Sequence, residues 1–204
     1  MKPRRAEIKR QTKETDIRGA LNLDGQGAAT IETGIGFLDH MLTAMARFAG
    51  FDLQLTCTGD LHIDDHHTAE DCALAIGAAL DEALGNRHGL TRFGWAYAPL
   101  DEALARAVVD LTGRSFAVID LGLVRETIGR FEEDGRAQMA TENVGHVFHS
   151  LAAAARLTLH VDVLRGDNDH HRAEAAFKAF GLALKQAVSV TGGDEAPSTK
   201  GMLV

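Results

Sequence analysis

The block Asp65-His66-His67-Thr68-Ala69-Glu70 returns 104 residues later as Asp169-His170-His171-Arg172-Ala173-Glu174. The same offset lays Ala75 on Ala179, Gly77 on Gly181, Ala79-Leu80 on Ala183-Leu184 and Ala83 on Ala187. Matches in one fixed register over this length mark an internal duplication, and a duplicated chain builds the same unit twice.

Periodicity supplies the contents of that unit. Residues 4–33 read as strand, turn, strand, with Ile17, Leu21 and Leu23 among polar neighbours and a turn at Asp24-Gly25-Gln26-Gly27. Leu38, Met41, Leu42, Met45 and Ala49 recur at helical spacing and predict a helix over 35–49. Phe51, Leu53, Leu55 and Cys57 alternate with polar residues, the pattern of a strand with one buried face. A second helix runs from about His66 to Leu84 and is ended by 85–89. From Phe93 the pattern restarts: strands within 93–111 and 115–123, a charged loop over 125–138, a helix over 142–156, a strand over 157–164 and a helix over 170–190. The expected architecture is α+β, with helices covering one face of a mostly antiparallel sheet. The first half occupies 1–90, the second 91–190, and an irregular C-terminal tail 191–204.

Composition narrows the partners. Of 204 residues, 45% are hydrophobic and 25% charged, the balance of a soluble globular chain able to bury a sizeable core. A net charge of −8 argues against a nucleic-acid partner. The N-terminal Lys2, Arg4, Arg5, Lys9 and Arg10 are interleaved with Glu7 and Ile8, as on a solvated strand. No apolar stretch follows them as in a signal peptide, and none is long enough to span a bilayer. With Cys57 and Cys72 the only thiols, a disulfide framework is not expected and the cytoplasm is the default compartment.

The repeated block has the chemistry of a metal ligand set. On a helix, residues three or four apart share a face, whereas neighbours point about 100° apart. Glu70 can therefore converge on one ion with either His66 or His67, leaving the other histidine for a second ion. His170, His171 and Glu174 repeat that geometry. His40 and His146, at nearly the same offset on the preceding helices, bring the set to six imidazoles and two carboxylates. Divided evenly, this gives two sites of three His and one Glu, with positions left open for water or substrate. Imidazole and carboxylate without thiolate suit Mn, Fe, Co, Ni or Zn rather than Mg or Ca. His62, His88, His149 and His160 lie outside the pattern and read as structural or exposed.

Five segments carry a more specific signal. They are Gly36-Phe37-Leu38-Asp39-His40-Met41-Leu42, the run from Gly59-Asp60 through the first motif to Asp71, Ala98-Pro99-Leu100-Asp101-Glu102, the second motif, and Ser198-Thr199-Lys200-Gly201. Together they resemble the imidazoleglycerol-phosphate dehydratase family, from about Arg4 to Leu203. The resemblance implies a lyase of histidine biosynthesis that removes water from imidazole glycerol phosphate to give imidazole acetol phosphate. It implies duplicated βαβ-type halves of the ribosomal protein S5 domain 2-like fold. It also implies two Mn2+ ions per subunit at subunit contacts (Fe, Co or Zn being compatible with the same donors), and a homo-oligomer of 24 subunits built from trimers.

Residue by residue, His40, His66, His67, Glu70, His146, His170, His171 and Glu174 match the family's metal ligands. Glu14, within Arg10-Gln11-Thr12-Lys13-Glu14-Thr15, matches a catalytic acid/base. Arg92, Arg114, Lys178, Ser198 and Lys200 match positions that hold the substrate, chiefly its phosphate, so the tail contributes to the substrate site. The chain departs from the family's common pattern at Thr43, Ala44, Phe48, Asn143 and Gly145. In the implied chemistry two cations favour the imidazolate form of the substrate, which expels hydroxide through a diazafulvene-like intermediate while Glu14 moves the proton at carbon. A dinuclear metallohydrolase is the competing reading, but six His to two Glu is poor in carboxylate for one. A non-catalytic metal-binding assembly has no use for Glu14 or the two arginines.

Overall fold

The structure, a computed structural model, describes residues 3–129, 137–201 and 203. Among them the order is β1 (Arg5–Gln11), β2 (Thr15–Asn22), β3 (Ala29–Glu32), α1 (Gly36–Ala49), β4 (Asp52–Gly59) and α2 (His66–Leu84). The second half follows as β5 (Phe93–Leu100), β6 (Ala103–Asp110), β7 (Phe116–Asp120), β8 (Thr127–Ile128), β9 (Met139–Ala140), α3 (Thr141–Ala154), β10 (Thr158–Arg165) and α4 (Asp169–Ala187).

Each half builds its own four-stranded sheet, ordered β1-β2-β4-β3 and β5-β6-β10-β7, where one sheet was expected. In both, three strands pair antiparallel and the fourth pairs parallel. The parallel pairs β3–β4 and β7–β10 are joined through α1 and α3, the crossover that parallel strands require. Alternation sets the buried faces: β2 turns Thr15, Ile17 and Leu21 inward, and β6 turns Ala103, Ala105, Ala107 and Val109 inward. Helices α1 and α2 cover the inner face of the first sheet, and α3 and α4 that of the second. Across the middle α1 meets α4 and α2 meets α3, so the helices form the centre of one continuous core.

The strands and the helices of the repeat run at different offsets. Arg5 corresponds to Phe93 and Thr15 to Ala103, an offset of 88, while α1 and α3 begin 105 residues apart. The difference lies between β7 and α3, where 121–140 carries β8 and β9 in place of the short link 33–35. Residues 130–136, inside the loop expected over 125–138, lie outside the described residues. Two further corrections concern hairpins. Residues 4–33 contain three strands, because the chain also reverses at 12–14. The segment 93–111 holds two, because it reverses at Asp101-Glu102, where Asp101 takes a φ of 45°. Neither reversal carries a glycine or asparagine to announce it.

Close approach of the halves depends on two glycines related by the duplication. A Cβ on Gly77 would stand 2.6 Å from the Leu151 carbonyl oxygen of α3, and one on Gly181 2.5 Å from the Met45 carbonyl oxygen of α1. The outer faces of the sheets differ as well. The first presents Arg5, Glu7, Lys9, Arg18, Gln54 and Thr56, all exposed. The second presents Trp95, Tyr97 and Phe116, exposed by 59%, 55% and 63%, with Phe93 and Val118 beside them.

Gly77→Ala is expected to destabilise the chain by about 1–3 kcal/mol through overpacking of α2 on α3, although alanine is the better helix former by up to about 1 kcal/mol. Urea unfolding of the variant beside the parent chain measures this; an unchanged or raised midpoint would contradict the packing.

Candidate metal centre

Both His-His pairs occupy the first turn of a helix, and the residue two places before each pair's first histidine accounts for the start. Asp64 Oδ1 accepts the His66 N–H at 2.8 Å, and Asn168 Oδ1 accepts the His170 N–H at 2.9 Å. The acids immediately before the pairs have another task. Asp65 accepts the Ala140 N–H at 2.8 Å, while Asp169 Oδ2 accepts those of Val124 and Arg125 at 3.0 and 2.8 Å. The long connection 121–140 is thereby fastened near its two ends to the two motif-bearing helices.

Two trios of side chains converge across the helix layer. His40 on α1 and His170 on α4 each place Nε2 3.2 Å from Glu174 Oε2. His146 on α3 places Nε2 3.2 Å from Glu70 Oε1, and His66 Nε2 lies 3.9 Å from Glu70 Oε2. Within each trio the ligating atoms lie within 4.8 Å of one another. The His66 ring stacks on that of His146 at 4.7 Å, and its Nδ1 lies 2.9 Å from the buried Asn143 Oδ1. An Nδ1–H donated to that amide oxygen turns the Nε2 lone pair towards the trio, the usual support for a ligating imidazole. Two imidazole nitrogens and a carboxylate at this spacing fit a divalent transition-metal ion.

His67 and His171 stand apart from the trios of their own chain. Their rings lie at 79° and 90° to those of His66 and His170, with centroids 6.2 Å apart in both pairs. His67 Nδ1 is 3.0 Å from Asp60 Oδ2, and His171 Nδ1 is 2.7 Å from Glu102 Oε2. The hydrogen bond to Asp60 raises the pKa of His67, and the bond to Glu102 raises that of His171. The His171 bond, with the Asn168 N–H behind it, holds the Glu102 carboxyl down at about 2. Burial pushes the Glu174 carboxyl up, but hydrogen bonds from Lys178 and His40 outweigh it and the net shift is downward.

Glu14 sits in the β1–β2 turn with Oε1 3.8 Å from His67 Nε2. Thr12 Oγ1 shapes that turn by accepting the N–H groups of Glu14 and Thr15 at 3.1 and 3.0 Å. The hairpin is pinned to α2 by the buried Asp71, which accepts from the Thr15 hydroxyl at 2.6 Å and from Arg10 Nε at 2.8 Å. Glu14 and the first motif thus share one rigid support.

The expected substrate residues divide into two places. Arg92 forks onto Asp110 at 2.7 and 3.1 Å and donates to the Pro197 carbonyl at 2.7 Å, drawing the tail against it. Its own carbonyl accepts the Leu111 N–H at 3.1 Å, three residues before Arg114. Ser198 follows Pro197, and its hydroxyl accepts the Lys200 N–H at 3.2 Å. Lys178 lies elsewhere, 2.7 Å from Glu174 Oε1 and 5.6 Å from the centre of the Phe48 ring. Ala187, which accepts the Arg92 N–H, is nine residues further on, roughly 13 Å of helix. Sequence reasoning assigned no role to Asp60, Glu102 or Asn143. All three lie on other elements than the histidines they touch, and no spacing rule links them.

Residues 33–184 match the family model described as imidazoleglycerol-phosphate dehydratase. The chain belongs to this family. An imidazoleglycerol-phosphate dehydratase of Neurospora crassa is 54% identical over 228 residues, covering 98% of this chain and 96% of the relative. One of Candida glabrata is 51% identical over 214 residues, covering 96% and 98%. The crystal structure of the Staphylococcus aureus dehydratase matches with a TM-score of 0.78 at 36% identity, over 91% of this chain and 99% of that one. The Pyrococcus furiosus structure, in complex with (S)-C348, gives 0.78 at 38% identity over 96% and 100%. Membership in the imidazoleglycerol-phosphate dehydratase family makes the chain a hydro-lyase and places its duplicated α+β fold among solved relatives.

The His171–Glu102 pair has a signature in the pH dependence of the metal-free protein. A raised histidine pKa contributes stability fully below the ordinary value of 6.5 and loses it as pH rises through the raised value. The depressed Glu102 contributes above 4.5 and loses its share as pH falls towards about 2. Chemical denaturation across pH 2–9, run in chelator, is expected to show shallower flanks on both sides for His171→Ala than for the parent chain. Coincident flanks would contradict the pairing.

Proposed function

We propose that the chain converts imidazole glycerol phosphate to imidazole acetol phosphate and water in histidine biosynthesis, using two divalent ions per chain, Mn2+ foremost. The same donors suit Fe, Co or Zn. The observation that carries this reading is the pair of two-His, one-Glu trios, each accompanied by a histidine, His67 or His171, that stands clear of its own trio. His40, His170 and Glu174 would hold one ion, and His66, His146 and Glu70 the other. His67 and His171, each supported at Nδ1 by a carboxylate, would complete the trios of neighbouring copies. When bound, the ions supply Lewis acidity that favours the imidazolate form of the substrate ring.

The protein's own groups do the rest. Glu14, half exposed beside His67, is positioned to move the proton at the carbon next to the ring, on the way through a diazafulvene-like intermediate. Arg92 meets the tail at the Pro197 carbonyl, next to Ser198 and Lys200 in sequence, and with Arg114 these residues would take the phosphate. Lys178 would act from the wall beside Glu174. In this reading residues 1–90 and 91–190 are the two repeat halves and 191–204 closes the substrate site.

An assembly is needed for such shared centres. The apolar outer face of the second sheet, around Trp95, Tyr97 and Phe116, supports a homo-oligomer, for which we propose 24 subunits built from trimers. Among the described residues no helix is long and apolar enough to cross a membrane. A small phosphorylated substrate and a cytoplasmic location complete the proposal, with no nucleic-acid partner.

Glu14→Gln is expected to lower turnover of imidazole glycerol phosphate by about 10²–10⁴-fold while the metal content per chain stays that of the parent. Product ketone and bound metal, measured on the same sample, test this; near-normal turnover would remove Glu14 from the role. Trp95→Arg is expected to reduce the assembly to smaller species and turnover with it, as read by sedimentation velocity. Full-size assembly at normal turnover would place the interface on another face.

A further inference from the structure

The two outward histidines are oriented by carboxylates that the duplication does not relate to each other. Strand register gives the correspondence: Thr15 pairs with Gly59 in the first sheet, and Ala103, at the offset of 88, stands in the place of Thr15. Glu14, immediately before Thr15, therefore corresponds to Glu102, immediately before Ala103. After the bulge between Val163 and Arg165, Asp60 corresponds to Asp167. If the halves worked alike, Asp167 would hold His171 as Asp60 holds His67. Instead Asp167 is exposed and Glu102 holds His171.

The reason lies in the length of two connections. Between Gly59 and the first histidine of the pair, the chain spends 60–65; between Gly166 and its counterpart it spends 167–169. The longer connection lets Asp60 fold back onto His67. The shorter one is instead fastened to Glu102, whose Oε1 accepts the N–H groups of Asp167 and Asn168 at 3.2 and 2.9 Å while Oε2 takes His171 Nδ1 at 2.7 Å. Gly166 adds to the constraint, because its φ of 141° and the Ala103 Cβ 2.9 Å from where its own Cβ would lie leave no room for a side chain.

We infer that Glu102 is a positioning residue: it fixes His171 as the Nδ1–H tautomer with the Nε2 lone pair free for a metal ion, the duty Asp60 performs for His67. Its duplicate Glu14 is thereby released from that duty. The inference rests on the metal reading of the histidines given above and extends it to a division of labour between two glutamates of common origin.

Glu102→Gln is a discriminating variant. To keep the two backbone N–H bonds, the amide must leave its oxygen on Asp167 and Asn168 and turn its NH2 onto His171 Nδ1. An N–H facing Nδ1 forces the imidazole proton to Nε2, where it blocks ligation. The variant should keep the connection fastened and melt in chelator only slightly below the parent, by the loss of the exposed His171–Glu102 ion pair. It should nevertheless bind one of its two Mn2+ ions about 10- to 100-fold more weakly, a usual effect of removing such a partner. Asp60→Asn should be milder, within a few-fold, because both Asp60 oxygens face His67 Nδ1, at 3.2 and 3.0 Å, and the amide can offer its oxygen there. Asp167→Asn, at the exposed duplicate of Asp60, serves as the control and should leave the isotherm unchanged.

Calorimetric Mn2+ titration of the assembled protein reads all four. A parent isotherm of two ions with Glu102→Gln unchanged would overturn the positioning role and leave the metal reading standing. A parent chain that takes up no Mn2+ would overturn both. Glu102→Gln that melts well below the parent would assign Glu102 to the connection alone and likewise overturn the role.

Discussion

Everything at this site follows from two histidines being adjacent at the start of a helix. Side chains one position apart diverge by about 100°, and here the paired rings stand nearly perpendicular. Only one of each pair can join the glutamate one turn on, and in both halves it is the first. The second then points away from the trio. A duplicated motif of this kind yields two incomplete clusters and two unused imidazoles per chain. That stoichiometry closes when copies of the chain exchange the second histidine, so in this reading the activity and the assembly are consequences of one helical geometry.

The rest of the fold keeps these groups in place. The trios are built on helices rather than loops, and those helices are held in the middle of the molecule between two sheets, where their small residues allow close contact. Gly77 and Gly181 set the separation of the two halves, and therefore the reach from His146 to Glu70 and from His40 to Glu174. Asp71, one residue beyond Glu70, ties the hairpin that carries Glu14 to the same helix. Asp65 and Asp169 fasten the long connection of the second half to the helix starts. Rigid support at this density is what a site requiring sub-ångström placement needs.

Much of this was legible in the sequence because helices announce themselves. The boundaries of α2, the register of the repeat over α2 and α4, and the alternation in β4 all come from hydrophobic period. The period and the duplication put His40 and His146 in one candidate set with the two glutamates, but not which histidine meets which glutamate. That His40 meets Glu174 and His146 meets Glu70 is set by packing between the halves. Less legible was whatever depends on reversals without glycine. The hairpins at 12–14 and at Asp101-Glu102 carry neither glycine nor asparagine, so β1 and β2, and β5 and β6, run together in the sequence pattern. The 88-residue offset of the strands stayed hidden behind the long 121–140 connection, and with it the kinship of Glu14 and Glu102. Pairings such as His171 with Glu102 or His66 with Asn143 are set by tertiary packing, which no local pattern encodes. Asn143, a departure from the family's common pattern, orients the His66 ring through its amide oxygen.

The most direct test is to strip the assembled protein with chelator and restore Mn2+ stepwise, following bound metal and product ketone from imidazole glycerol phosphate on the same samples. Two ions taken up per chain, with turnover absent in chelator and rising with the bound metal, is the predicted result. Undiminished turnover in chelator would contradict a metal-centred site. Uptake of two ions with no turnover would leave the ligand set intact and contradict the substrate.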